Sequence, residues 1–259
     1  VKVLSFAKIN LGLEVLRRRP DGYHDIRTLF QWIDFHDTIE FRPHPGPEIR
    51  LVGDDPSIPW DETNLIHRAA SLLREKSGRD TGLDIVVAKR IPAGGGFGGG
   101  SSNAAMTLWG LNVFWDLGFV HGELEAFGRT LGMDVPFFLT GGLCLGEDRG
   151  DRLIPQPDLP PHWVVLVLPP VAVPTPLIYR SLDPAALTAA KPGGISAVLA
   201  RGFRPRVSGE PEARPLTSDD KDSKITRFLR TRELGSLTNT LEETIFRFFP
   251  QLQEIKGFL

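Results

Sequence analysis

The sequence has a single cysteine, Cys144, so no disulfide can form within the chain. That fits a reducing compartment and excludes a disulfide-stapled scaffold. An excess of charge is missing too. Thirty Lys and Arg stand against 32 Asp and Glu, a formal net charge of -2. Bulk electrostatics therefore offers nothing to nucleic acid or to an anionic membrane, and an anionic ligand must be held by a local device. Long hydrophobic runs are absent. The most apolar stretch, Trp163 to Val173, is short and carries Pro169 and Pro170, which excludes a membrane-spanning helix. No basic segment followed by an apolar one suggests a secretory signal, and the chain reads as cytoplasmic. The six histidines are scattered without an HExxH-like spacing, so a metal site built by the protein alone is not expected.

Glycine is abundant and unevenly placed. "IPAGGGFGGGSSNAA" runs from Ile91 to Ala105 and holds six glycines in seven residues, then two serines and an asparagine. Glycine tolerates positive φ and leaves the backbone bare. A bare loop feeding a helix offers free N–H groups and the positive end of the helix dipole, a site suited to phosphate. Ser101 and Ser102 add hydroxyls for phosphate or a metal ion. The order strand, glycines, serines, helix favours this over a simple packing turn. A Walker A loop is excluded because no lysine follows the glycines, and "GGSSN" lacks the last glycine of a GxSxG elbow. Gly94, Gly96 and Gly99 satisfy GxGxxG, but Asp116 falls in the next helix rather than on a following strand, unlike a dinucleotide fold.

Periodicity predicts a strand pair around "KIN" in residues 1–16, and strands over 28–41, in "EIRLVG" and in "LDIVVAKRI". Helices are expected from Thr63, as N-cap, to Lys76, from Ser101 to Leu117 and over about 122–131. After the Pro-rich "PQPDLPP", "WVVLVLPP" reads as a buried strand, 203–224 as a loop and 237–248 as a helix. No internal repeat is visible. Strands and helices mix without a βαβ rhythm, which predicts an α+β fold. Domains are expected at 1–155 and 156–259.

The motif P-x-G-G-G-x-G-G-G-S-S-N-A-A resembles the phosphate-binding motif of the GHMP kinases. Three further segments agree with it: "AKINLGLEVLRRRPDGYHDIRTLFQ", "LGMDVPFFLTGG" and "VPTPLIY". The likeness is strongest for residues 1 to about 182. It implies a two-domain α+β GHMP kinase fold, with an N-terminal ribosomal-protein-S5-like domain, a smaller C-terminal domain and the active site in the cleft between them. It implies an ATP-dependent kinase acting on an alcohol. Phosphoryl transfer needs charge neutralisation, alignment and a base for the hydroxyl proton. By the resemblance Asp134 is that base and Lys8 its neighbour. Without the motifs, Lys8 would read as a surface charge and Asp134 as a helix cap. Asn64, Pro92, Gly94, Gly95, Gly96, Gly98, Gly99, Gly100, Ser101, Ser102 and Asn103 are implied ATP contacts. Lys89 could approach the nucleotide as well, and Mg²⁺ should arrive with ATP.

Tyr23 and His24 in "DGYHD" suit a nucleobase, since an aromatic face stacks it and an imidazole reads its edge. The resemblance makes them the holders of a cytosine, in the branch of the family whose acceptor is a cytidine diphosphate-linked polyol. It also gives Asn10, Thr175 and Pro176 to the substrate. A homoserine or mevalonate type of kinase is the alternative, disfavoured because those substrates carry no base. A degenerate nucleotide-binding member is disfavoured by Lys8 and Asp134. Two departures stand out. Thr240 in "TNTLEETIF" replaces an acidic residue of the family pattern, and a Gly/Ser-rich third motif is expected just where the sequence reaches "EIKGFL". An incomplete C-terminal domain would expose a sheet edge and favour self-association.

Overall fold

The structure, a computed structural model, describes residues 1–168, 173, 175–182, 225 and 239–258. The side chains of Thr175, Pro176 and Phe258 are outside that description. In chain order the elements are β1 (Lys2–Arg18), β2 (His24–His44), β3 (Ile49–Gly53), α1 (Leu65–Ser77), β4 (Gly82–Ala88), α2 (Gly99–Phe114), α3 (His121–Leu131) and α4 (Val135–Thr140). They continue with β5 (Leu143–Glu147), β6 (Arg152–Gln156), α5 (Thr175–Arg180), α6 (Glu242–Phe248) and α7 (Pro250–Phe258). This mixture is the expected α+β class. Two compact units are assembled from alternating stretches: Val1–Ile9, Gln31–Leu143 and Pro157–Ala172 in the first, Asn10–Phe30, Cys144–Gln156 and Val173–Leu259 in the second. The long strands β1 and β2 each contribute to both.

In the first unit the strand order is β3-β4-β2, with β1 beside β2. β2 and β4 are antiparallel from Thr38↔Ala88 to His44↔Gly82, whereas β3 and β4 are parallel from Ile49↔Leu83 to Gly53↔Val87. Alternation sets the buried face. Leu83, Ile85 and Val87 of β4 point inward, with Asp84 and Val86 between them on the other side. Ala69, Ala70 and Leu73 of α1 and Ala104, Leu108 and Leu111 of α2 complete the core. Gly110 lets α2 settle on β2, because a Cβ there would lie 2.5 Å from the Phe41 ring. Ala104, Leu108 and Leu111 lie on the buried face of α2, and the helix begins two residues earlier than the sequence suggests.

The N-cap of α1 is corrected from Thr63 to Asn64, whose Oδ1 accepts the N–H of Ile66 at 3.0 Å. Gly78, at φ +65°, closes the helix in the left-handed region. The expected break in residues 1–16 is not there, since β1 is one continuous strand. The strand expected at "WVVLVLPP" is also corrected. Residues 163–168 form no strand, and Trp163 and Val165 are fully or largely exposed. An apolar run becomes a buried strand only where partners pair with it, and these residues have no such partner among the described ones. The remainder of that segment and the loop at 203–224 lie outside the described residues.

In the second unit the order is β2-β5-β6. Leu13, Val15, Ile26, Ile178 and Leu241 form its core, with Tyr179, Ile245 and Phe249 packed against them. Thr240 has a defined task here. Its hydroxyl donates to the Leu13 carbonyl at 3.1 Å and accepts the N–H of Val15 at 3.4 Å, extending the β1 edge. The helix expected at 237–248 starts at Glu242, and a second one follows from Pro250. No helix among the described residues is long and apolar enough to cross a membrane.

Candidate active site

The glycine loop lies in the first unit between Ile91 and α2. Gly94, Gly96 and Gly98 have φ of +73°, +76° and +71°. Among the described residues nothing lies within 4 Å of a Cβ built on Gly94 or Gly96, so glycine is needed there for conformation rather than for space. Gly98 differs, because a Cβ would meet the Phe138 ring at 2.6 Å. Gly98 is the N-cap of α2, and the first helical bond runs from Ser102 N–H to the Gly98 carbonyl at 2.8 Å. The N–H groups of Gly99, Gly100 and Ser101 therefore stand ahead of the intrahelical ladder, at the positive end of the dipole. Gly100 is exposed, and among the described residues only Leu65 Cδ1 comes near its missing side chain, at 3.7 Å.

Not every residue of the motif faces outward. Ser102 and Asn103 are buried. The Ser102 hydroxyl donates to the Phe6 carbonyl at 2.6 Å and accepts from Ser5 Oγ at 2.7 Å. Asn103 Nδ2 donates to Ser5 Oγ and to Asp37 Oδ2, at 2.8 and 2.9 Å. Lys89 is turned the same way, its ammonium bonded to Asp37 and to Asn103 Oδ1. These side chains are committed to the protein. Asn64 is half-buried and its amide holds the start of α1, with Nδ2 donating to the Pro59 carbonyl at 2.8 Å. Pro92 borders an open recess of about 340 Å³ next to the loop, lined also by Asp54, Asp55, Pro56 and Lys89. Composition and periodicity give no sign of that recess.

Lys8 and Asp134 come together in this unit, with Lys8 Nζ 4.0 Å from Asp134 Oδ2. Lys8 is buried on β1 and its N–H donates to the Phe97 carbonyl at 2.9 Å, which ties the strand to the loop. Burial pushes the Lys8 ammonium below its ordinary pKa, and the Asp134 carboxylate opposes that shift. Asp134 stands at the N-terminus of α4, where Pro136 helps start the helix. Its side chain makes no capping hydrogen bond and is 36% exposed. The carboxylate is thus held beside a cation and open to solvent, which suits a proton acceptor better than a cap.

The second unit carries a separate aromatic site. Tyr23 lies on the turn between β1 and β2, is 52% exposed, and has the Arg149 guanidinium 5.7 Å from its ring centroid. Its N–H donates to Asp21 Oδ1 at 3.1 Å. Arg17 and Arg19 both bond the buried Asp25 and fix the far side of the turn. His24 is buried, and its ring lies 5.4 Å from that of Tyr179. Burial, with help from Arg18, lowers its pKa, so the imidazole is neutral near pH 7 with one donor and one acceptor nitrogen. Asn10 Nδ2 donates to Thr28 Oγ1 at 2.6 Å. Thr175 and Pro176 open α5. Tyr179 and Arg149 were not singled out by sequence reasoning. The available signal for Tyr179 was its place at the end of "VPTPLIY".

Comparison with known proteins gives a consistent result. Residues 64–142 match the family described as GHMP kinases N terminal domain. A protein of Syntrophus aciditrophicus named 4-diphosphocytidyl-2-C-methyl-D-erythritol kinase is 39% identical over 100% of this chain and 82% of its own length. One of the same name from Methylococcus capsulatus is 49% identical over 68% of this chain, which spans 60% of that relative. A crystal structure of 4-(cytidine 5'-diphospho)-2C-methyl-D-erythritol kinase superposes with a TM-score of 0.70 at 33% identity, covering 99% of this chain and 81% of that one.

Proposed function

The chain belongs to the 4-diphosphocytidyl-2-C-methyl-D-erythritol kinase family of GHMP kinases, and from that premise we propose that it transfers the γ-phosphoryl group of ATP to the 2-hydroxyl of 4-diphosphocytidyl-2-C-methyl-D-erythritol. The product is the 2-phosphate, an intermediate of isoprenoid precursor biosynthesis by the non-mevalonate route. The observation that carries this reading is the Lys8–Asp134 pair, 4.0 Å apart, with Lys8 on a strand that is itself bonded to the glycine loop.

Asp134 takes the proton of the acceptor hydroxyl as its oxygen attacks the γ-phosphorus, and the bond to the β-phosphate oxygen breaks to release ADP. Lys8, 4.0 Å from Asp134, neutralises charge on the transferring group. The open N–H groups of Gly99, Gly100 and Ser101 receive phosphate oxygens. Mg²⁺ fits as a companion of the nucleotide. Its ligands would come mainly from phosphate oxygens and water. When bound it offsets phosphate charge.

Gly100 gives a clean test of the phosphate cradle. Gly100→Ala sits in a helix with room for a methyl group, so folding is unharmed. A phosphate approaching the backbone would meet that methyl, and ATP affinity should fall by about tenfold or more. Calorimetry returning wild-type affinity would turn the loop into a packing feature.

Tyr23, His24 and Tyr179 form the base-recognition group of this reading. Phosphoryl transfer assayed against a panel of alcohols should favour the cytidyl substrate over mevalonate and homoserine. Tyr23→Ala should weaken that substrate by about 1–3 kcal/mol and leave ATP binding unchanged. Better turnover of mevalonate or homoserine would assign a different GHMP branch, and no transfer to any alcohol would leave a nucleotide-binding protein.

A further inference from the structure

Asp37 lies on β2 and is fully buried. It stands one residue before Thr38, where the pairing of β2 with β4 begins. Beyond Ala88 the partner chain leaves the sheet and runs toward the glycine loop. The Asp37 carboxylate takes over where the ladder stops. Oδ1 accepts the N–H of Arg90 at 2.7 Å and the N–H of Ile91 at 2.9 Å. Oδ2 accepts from the Lys89 ammonium and from Asn103 Nδ2. One carboxylate thus binds the backbone that enters the loop and the first turns of the helix that leaves it.

A hydrophobic side chain would fill this space without the desolvation cost of a buried ion pair. What the carboxylate adds is a fixed distance between two segments, Arg90–Ile91 and Asn103. Gly99 lies directly over this network, since a Cβ there would be 3.4 Å from Lys89 Nζ. We propose that Asp37 is a positioning residue for phosphoryl transfer, one that sets the span of the glycine loop and so the placement of the N–H groups at the start of α2. This rests on the reading that the loop cradles the phosphates of ATP.

Asp37→Asn tests it. The amide oxygen can still accept the two backbone N–H groups, but its NH₂ faces two donors, Lys89 and Asn103. With the loop misplaced, KM for ATP should rise by about tenfold to 10²-fold, while KM for the acceptor alcohol holds. A residue that only adds stability would lower the melting point and the active fraction without this split. A folded Asp37→Asn protein with wild-type KM for ATP overturns the proposal. Failure of the wild-type chain to bind ATP overturns the phosphate-cradle reading, and the proposal with it. Should the variant not fold, hydrogen exchange on the wild-type protein decides. The Arg90 and Ile91 amides should exchange as slowly as the core of α2 while those of Gly94–Gly96 exchange freely. Rapid exchange at Arg90 and Ile91 would show that the clamp is not closed in solution.

Discussion

Asp134→Asn lowers kcat by about 10²–10⁴ and leaves ATP affinity little changed. The size follows from the role, since an amide cannot take the hydroxyl proton. The selectivity follows from position. Asp134 is 36% exposed and caps nothing, so its replacement by an isosteric amide removes no hydrogen bond from the N-terminus of α4. Its neighbour Lys8 keeps its strand bond to Phe97, and the N–H groups at the start of α2 are not touched. Turnover and nucleotide binding therefore separate. The measurement is a steady-state assay paired with calorimetry and a melting curve on the same preparation. A folded Asp134→Asn protein with near-normal turnover would remove Asp134 from the chemistry.

The glycine loop was legible because glycine at this density has few other uses, and the missing lysine excluded a Walker loop without any structure. Helix α2 was legible because its apolar spacing is regular. Which polar residues of its first turns face a ligand was not. Ser101, Ser102 and Asn103 look alike in sequence, but the helical rotation of about 100° per residue turns the last two toward β1 and β2. There Ser5, Phe6 and Asp37 already wait. Asp37 itself was hidden inside "TLFQWIDFHDTIEF", where its charge reads as a solvent-facing residue although alternation places it on the buried face of Ile39 and Phe41. The pairing of His24 with Tyr179 was hidden by distance along the chain, since no local pattern joins residues that far apart. The reading of "WVVLVL" failed for a related reason, because hydrophobicity marks what can be buried and not what covers it. Thr63 and Asn64 are both good caps by composition, and only the hydrogen bond to Ile66 selects the second.

Lys8→Gln should reduce kcat by about 10²–10³, and the pH profile should identify the lost group. In the wild-type enzyme the Lys8 ammonium titrates below 10.5 because it is buried, and the Asp134 carboxylate limits the drop. As pH rises through that lowered value the charge disappears and the rate should fall, so the alkaline limb lies below the ordinary lysine range. The residual rate of Lys8→Gln should lack this limb. Stability moves the other way. A lysine whose folded-state pKa is below its unfolded one binds protons less readily in the native protein. Its burial therefore costs stability wherever it is charged, and that cost fades as pH rises through the folded value toward the unfolded one. Neutral pH lies below the unfolded value, so a cost remains there and Lys8→Gln should melt no lower than wild type, while above the unfolded value it should gain nothing. A large rate loss without a loss of melting temperature is the signature of a charge kept for chemistry at the expense of the fold. Lower melting at neutral pH, or an alkaline limb that survives in Lys8→Gln, would assign Lys8 to structure and that limb to another group.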